Sequence, residues 1–152
     1  CLLVLVSIYF LKKFKRKKKK TEELSIAVDL RTPYQRAIDS LDELLDQNYY
    51  DKKLLKDHYV RLTEIIKKFL EDMIGTHMTD LTTTETMKQV DKRISSEDSK
   101  RLKHILYFSD HIKYAKQIPS NKEHEDYFNK SKDFISRIDQ QLSKHLNNEE
   151  KK

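Results

Sequence analysis

The sequence predicts an all-α fold, with about five amphipathic helices in a compact bundle. The chain has one Gly and two Pro among 152 residues, which is fewer turn residues than β-rich or loop-rich folds use. Its apolar residues recur at helical spacing between repeated capping signals, and no alternating run indicates a strand. A body of about 115 residues buries roughly two thirds of its unfolded surface, so we expect it to fold without a metal or cofactor.

The first predicted helix begins at a capping box. Thr32 occupies the N-cap, Pro33 the first helical position and Gln35 the N3 position. Residues 47–51 interrupt the pattern, and Asp51 is a candidate cap for the helix that follows. The expected buried face of the first helix is Tyr34, Ala37, Ile38, Leu41, Leu44 and Leu45.

The second predicted helix has the widest apolar stripe and is therefore expected to be central. It should end at Gly75, the only glycine, because the residue after a helix often needs a positive φ. The stripe consists of Leu55, Tyr59, Leu62, Ile66, Phe69 and Met73, widened by Leu54, Ile65, Leu70 and Ile74.

Three further helices follow, each preceded by a similar capping signal. Thr82 with Glu85 forms a capping box before a short helix, and Ser95 or Ser96 caps the fourth helix. We expect Pro119 to stop the fourth helix and a third box, Ser120 with Glu123, to open the last. The expected apolar positions in the three helices are Met87, Val90 and Ile94; Leu102, Ile105, Leu106, Ile112 and Ala115; and Tyr127, Phe128, Phe134, Ile135, Ile138 and Leu142.

The amino-terminal end combines an apolar run with a basic run. Residues 1–11 rise about 16 Å as a helix, roughly half of a bilayer core, and residues 12–20 hold eight of the 31 basic residues. We therefore interpret residues 1–11 as the second half of a transmembrane helix. A signal peptide would carry its charges first, a lipid-modified Cys1 would usually precede a polar tether, and a core helix would not run into eight cations.

By the positive-inside rule, the basic run places the rest of the chain in the cytoplasm, at the inner membrane. The predicted organisation is a truncated span at 1–11, a polybasic run at 12–20, a linker at 21–31, a helical domain at 32–146 and a polar tail at 147–152. The alternative function of the basic run is to bind nucleic acid or anionic lipid. Its candidate lipid contacts are Lys12, Lys13, Lys15, Arg16, Lys17, Lys18, Lys19 and Lys20.

The sequence offers no catalytic constellation, so we expect a protein that is not an enzyme, with no cofactor, metal or small-molecule substrate. One glycine excludes a glycine-rich phosphate loop and a nucleophile elbow. The segment HEDYF starts like a zinc-protease helix, but Phe128 stands at the second ligand position. The histidines include no pair three or four residues apart and are interpreted as scattered surface or boundary residues. Acid pairs such as Glu97-Asp98 are interpreted as solvated charges.

The segment SDHIKYAKQIPS, residues 109–120, is predicted to end the fourth helix. Outside residues 12–20, the chain has 23 basic and 25 acidic residues, and a body of this charge repels phosphate, so we expect no nucleic acid there. Lys113 and Lys116 are expected to project outward and to form a small contact for an acidic partner. The candidate partner contacts are Asp110, Lys113, Tyr114 and Lys116.

The order of these segments resembles the cytoplasmic C-terminal helical domain of membrane proteins from bacterial BatD/MoxR-type operons, in the Bacteroidetes form. The resemblance covers residues 32–138. It is carried by TPYQRAIDSLDELL, DHYVRLTEIIKKFLEDMIG, DLTTTETMKQV and RLKHILYFSDHIKYAKQIPS. The loop GTHMTDLTTTE departs from the family pattern, in which an arginine-containing turn often leads into the threonines.

This resemblance implies a membrane-tethered adaptor in an envelope-associated system. Its expected partners are a MoxR-type AAA+ ATPase and membrane proteins with von Willebrand factor A domains. The family has no catalytic residues in this domain, so the resemblance implies none here.

Overall fold

The computed structural model describes residues 29–47 and 54–149, with side chains described as far as residue 144. All regular structure in these residues is helical, which confirms the predicted all-α fold. The five helices are α1 (Pro33–Asp46), α2 (Leu55–Ile74), α3 (Thr83–Val90), α4 (Ser96–Ala115) and α5 (Asn121–Glu149). The described residues from Arg31 onward form one compact unit.

Most helix starts follow the capping signals of the sequence. The side chains of Thr32 and Thr82 accept hydrogen bonds from the N3 amides of α1 and α3. In turn, the N3 side chains accept hydrogen bonds from the backbone amides of Thr32 and Thr82. Ser120 and Glu123 make the same reciprocal pair before α5. Ser95 caps α4. Each box satisfies amides that the first turn of a helix leaves without partners.

The second helix is the centre of the bundle, as its wide stripe predicts. It packs against α1, α4 and α5, and it ends at Gly75, whose φ is 73°. The core is one cluster of buried apolar side chains from all five helices. Its largest fully buried members are Tyr59, Phe69, Phe134, Leu41, Leu62, Ile66, Leu70, Met78, Leu102, Ile105, Leu106 and Ile135.

Three apolar positions expected in the core are solvent-exposed instead. Leu45 and Leu54 lie near the ends of α1 and α2, and Ala115 is the last residue of α4. The helical stripe continues to these positions in the sequence, but at a helix end the neighbouring helices no longer cover it. The apolar pattern therefore predicts which face of a helix is buried better than it predicts how far along the helix the burial extends.

Two helix ends also differ from the prediction. The fourth helix ends four residues before Pro119, because Lys116 adopts a left-handed conformation with φ 54° and its N–H bonds to the carbonyl of His111. The fifth helix continues to Glu149, past residue 146, where the helical domain was expected to end.

Among the described residues, no helix has the length and apolar character needed to span a bilayer. The predicted span at 1–11, the polybasic run at 12–20 and the candidate cap Asp51 lie outside the residues that the structure describes.

Candidate interaction surface at the end of the fourth helix

The side chain of Lys113 is held inside the domain and does not project outward, so that prediction is wrong. It is 8% exposed, and its Nζ lies 2.8 Å from Oδ1 of Asp110, one turn earlier on α4. The same ammonium donates to Oγ1 of Thr63 on α2 at 3.4 Å. The other carboxylate oxygen of Asp110 accepts from Oγ1 of Thr83 at 2.6 Å. Asp110 and Lys113 therefore join α4 to α2 and α3.

The physical reason is the position of residue 113 on the helix. It directly follows Ile112, which is buried, and therefore lies at the edge of the buried face. Asp110, at i−3, supplies a counter-charge for a lysine at this position. The spacing alone shows that the two residues are neighbours, but not that a threonine from another helix completes the cluster.

The other two candidate contacts, Tyr114 and Lys116, are exposed. The Tyr114 side chain is 74% exposed, and Nζ of Lys113 lies 5.3 Å from the centre of its ring. Lys116 is exposed and takes part in no ion pair among the described residues. Ile118, which the sequence did not single out, is 62% exposed beside them.

These side chains surround a groove of about 510 Å³ between the start of α2 and the end of α4. Its floor contains the buried side chains of Leu55 and Ile112, and Tyr114 and Ile118 stand at its walls. Lys56 and Lys116 add positive charge at its edge. An apolar floor with cations at the rim suits a partner that offers an apolar side chain next to an acid.

A second cleft, of about 440 Å³, lies on the other side of Tyr114. Its polar groups are already bonded within the chain: Lys67 donates to the carbonyl of Leu81, and Asp110 binds Lys113. Burial lowers the pKa of Lys67, and the charge of Lys113 lowers it further. The Lys67 bond attaches the segment before α3 to α2, which is a structural role.

Two histidines lie in the core, so the interpretation of all six as surface or boundary residues is wrong for these two. His58 is 2% exposed, and its ring centre lies 4.5 Å from that of His124 on α5. The Tyr59 hydroxyl lies 3.2 Å from Nδ1 of His124. Burial, and then the nearby His124, lowers the pKa of His58 to about 4. Burial also lowers the pKa of His124.

The pair joins α2 to α5, and a search for local histidine spacing does not detect contacts between distant helices. Within the described part of the chain, no three His, Cys, Asp or Glu side chains are arranged to hold a metal ion. The cluster packs as neutral rings, with Tyr59 and His124 meeting edge to face.

Asp98 is also buried, contrary to the interpretation of Glu97-Asp98 as solvated charges. Its oxygens accept hydrogen bonds from Ser95 at 2.6 Å, Arg137 at 3.0 Å and Gln141 at 2.5 Å. Burial by itself raises the pKa of Asp98, but these bonds outweigh it and the pKa is lowered. The carboxylate thus anchors the start of α4 to α5.

Comparisons with protein-family models, with curated proteins and with solved structures find no match for this chain.

Proposed function

We propose that the helical domain is a non-catalytic interaction module, tethered to the membrane by the amino-terminal segment. The observation that carries the proposal is the groove at the end of α4, where Tyr114 and Ile118 are exposed beside Lys116. Burying an apolar side chain of this size contributes about 1.5–3 kcal/mol. Covering both side chains with a partner therefore supplies a large share of a binding free energy.

The surroundings of Tyr114 favour binding because they are fixed before a partner arrives. The Asp110–Lys113 ion pair and its bonds to Thr63 and Thr83 hold this end of α4 against two other helices. A rigid support lowers the ordering cost of association. Tyrosine is also enriched among the residues that dominate protein interfaces.

The resemblance of the sequence supports the choice of partner to test first. It makes a MoxR-type AAA+ ATPase or a protein with a von Willebrand factor A domain the first candidate, and it supports an adaptor role. The basic run supports a cytoplasmic position at the inner membrane. If protease added to intact spheroplasts digests the helical domain, that position is wrong.

The test of the function is capture of these two partner classes from a native membrane extract by residues 30–149. Tyr114→Ala and Lys116→Glu should each reduce capture at least severalfold without changing the circular-dichroism spectrum. Lys122→Glu is the matched control, because Lys122 is exposed at the start of α5. Lys113→Glu is unsuitable, because it would place a second acid beside Asp110 inside the domain.

Capture that is equal for Tyr114→Ala, Lys116→Glu and Lys122→Glu would contradict docking at this groove. Failure to recover either partner class under several nucleotide conditions would remove the support for the adaptor role. The second candidate function is binding of anionic lipid through residues 12–20, which is favoured by the eight basic side chains in that run.

A further inference from the structure

A separate groove, of about 560 Å³, lies between α3 and α4, away from the end of α4. We call it the α3–α4 groove. The two helices run antiparallel, because Thr83 at the start of α3 contacts Asp110 and Asp91 at its end contacts Ser99. The groove has Met87 as its buried floor and Tyr107, 40% exposed, on its wall.

The residues that line the groove follow one face of each helix. On α3 they stand at positions 84, 87, 88 and 91, and on α4 at 96, 99, 100, 103 and 107. Both series follow the i, i+3, i+4, i+7 spacing of one helix face. Two such faces side by side accept a third helix, with its apolar ridge between theirs. The α4 side extends about 16 Å, or about three helical turns.

The charge of the groove indicates what kind of helix fits. Lys88, Lys100 and Lys103 line it and are exposed. None of the three takes part in an ion pair within the described part of the chain, whereas Arg101 on the same helix pairs with Glu97. The only acid in the lining is Asp91, which already accepts a hydrogen bond from Ser99. The groove is thus positive, on a body with two more acids than bases outside the basic run.

We infer that the α3–α4 groove binds an acidic amphipathic helix from a protein partner. The apolar ridge of that helix packs on Met87 and Tyr107, and its acidic residues pair with Lys88, Lys100 and Lys103. Nζ of Lys103 lies 5.8 Å from the ring centre of Tyr107, so one acid can reach the lysine while an apolar neighbour covers the ring. This inference goes beyond the docking proposed at Tyr114, because it uses none of the same residues.

The probe is a 14-residue amphipathic peptide with Leu on one face, Glu on both flanks and Ala elsewhere. Its control has Lys in place of every Glu. Each is titrated into the ¹⁵N-labelled 152-residue chain in micelles of a neutral detergent. Amide chemical shifts separate binding in the groove from binding at the basic run. We expect the acidic peptide to shift residues 84–91 and 96–107 and the basic peptide to leave them unchanged.

Charge reversal identifies the lysines that do the binding. Lys88→Glu with Lys103→Glu should weaken the groove affinity about tenfold, while Lys122→Glu with Lys144→Glu, at exposed positions of α5, should leave it unchanged. If the double variant loses the amide spectrum of a folded domain, Lys88→Gln with Lys103→Gln should still weaken the affinity. The inference would be overturned if the groove variants kept their affinity for the acidic peptide. It would also be overturned if the acidic peptide caused no chemical-shift changes in the groove, or if the basic peptide caused changes of the same size.

Two other ligands of the groove would give different chemical-shift results, and either result would also overturn the inference. Groove shifts on adding phosphatidylserine vesicles without peptide, abolished by Lys88→Glu with Lys103→Glu, would identify a lipid contact. Groove shifts that grow with protein concentration alone would identify a second copy of the chain.

Discussion

The ring of Phe69 lies in the centre of the bundle, on the helix that packs against three others. We predict that Phe69→Ala lowers the free energy of unfolding by about 3–5 kcal/mol, since it removes a buried ring and leaves a cavity. Urea unfolding of residues 30–149 would measure this. Leu45→Ala is the control, because Leu45 is exposed and its loss should cost at most about 0.5 kcal/mol. A similar cost for both would contradict the described core.

His58 should make the domain less stable in mild acid. In the unfolded chain this histidine takes up a proton near its usual pKa of 6.5, whereas in the folded domain it does so only near pH 4. Between these values the unfolded state binds more protons, so stability falls as the pH falls. The loss approaches about 3 kcal/mol at the acid end.

Unfolding by urea at several pH values checks this dependence, with His58→Gln as the variant that cannot titrate. Its stability should vary less between pH 6.5 and pH 4 than that of the parent protein. His104→Gln, at an exposed position of α4, should keep the parent dependence. An unchanged slope in His58→Gln would show that other groups, such as His124, whose pKa burial also lowers, account for the acid sensitivity.

The polar residues that sequence reasoning misplaced share one property, which is that their environment comes from another helix. Lys113 donates a hydrogen bond to Thr63, and its ion-pair partner Asp110 accepts one from Thr83. His58 packs on His124. A single-helix pattern gives the direction of a side chain but not the neighbour it meets. Lys116 was placed correctly because its exposure requires no neighbour.

At the scale of elements, the end of α4 joins folding to the proposed function. Lys116 is the only described residue other than glycine with a positive φ, at 54°. A left-handed conformation costs a residue with a Cβ about 1–2 kcal/mol, and glycine is the usual choice at this position. A lysine there, directly beside the exposed Tyr114, is consistent with a residue retained for binding.

We predict that Lys116→Gly stabilises the domain by about 1 kcal/mol and at the same time weakens partner capture. Gly75→Ala is the opposite substitution, because it places a Cβ at a φ of 73° where no atom lies within 4 Å. It should destabilise by about 1 kcal/mol through the backbone alone and leave capture unchanged. Urea unfolding and the capture assay measure the two effects. Lower stability in Lys116→Gly would mean that its side chain supports the fold.

Helix starts were more predictable than helix ends, for a physical reason. A capping box is a local exchange of hydrogen bonds, so Thr32 with Gln35 and Thr82 with Glu85 are readable from the sequence. The end of α4 depends on a lysine in an unusual backbone conformation. Pro119 was therefore an incorrect stop signal.

For the whole molecule, the amphipathic pattern was enough to predict an all-α bundle with α2 at its centre. It could not predict which helices form grooves, because a groove depends on two helices and on the turn between them. The Tyr114 groove was only partly anticipated, through two of its exposed residues, and the α3–α4 groove was not anticipated. Both grooves combine apolar walls with lysines, which supports an interaction function for the helical domain.

The central claim is that the helical domain, and not the polybasic run, binds the protein partner. The most direct measurement is partner capture by residues 30–149 and by the whole chain, at low and at high salt. We predict that the fragment retains capture, that Tyr114→Ala with Lys116→Glu abolishes it, and that salt weakens it only modestly. Capture that requires residues 12–20 and falls steeply with salt, as screening of exposed charges demands, would contradict the claim.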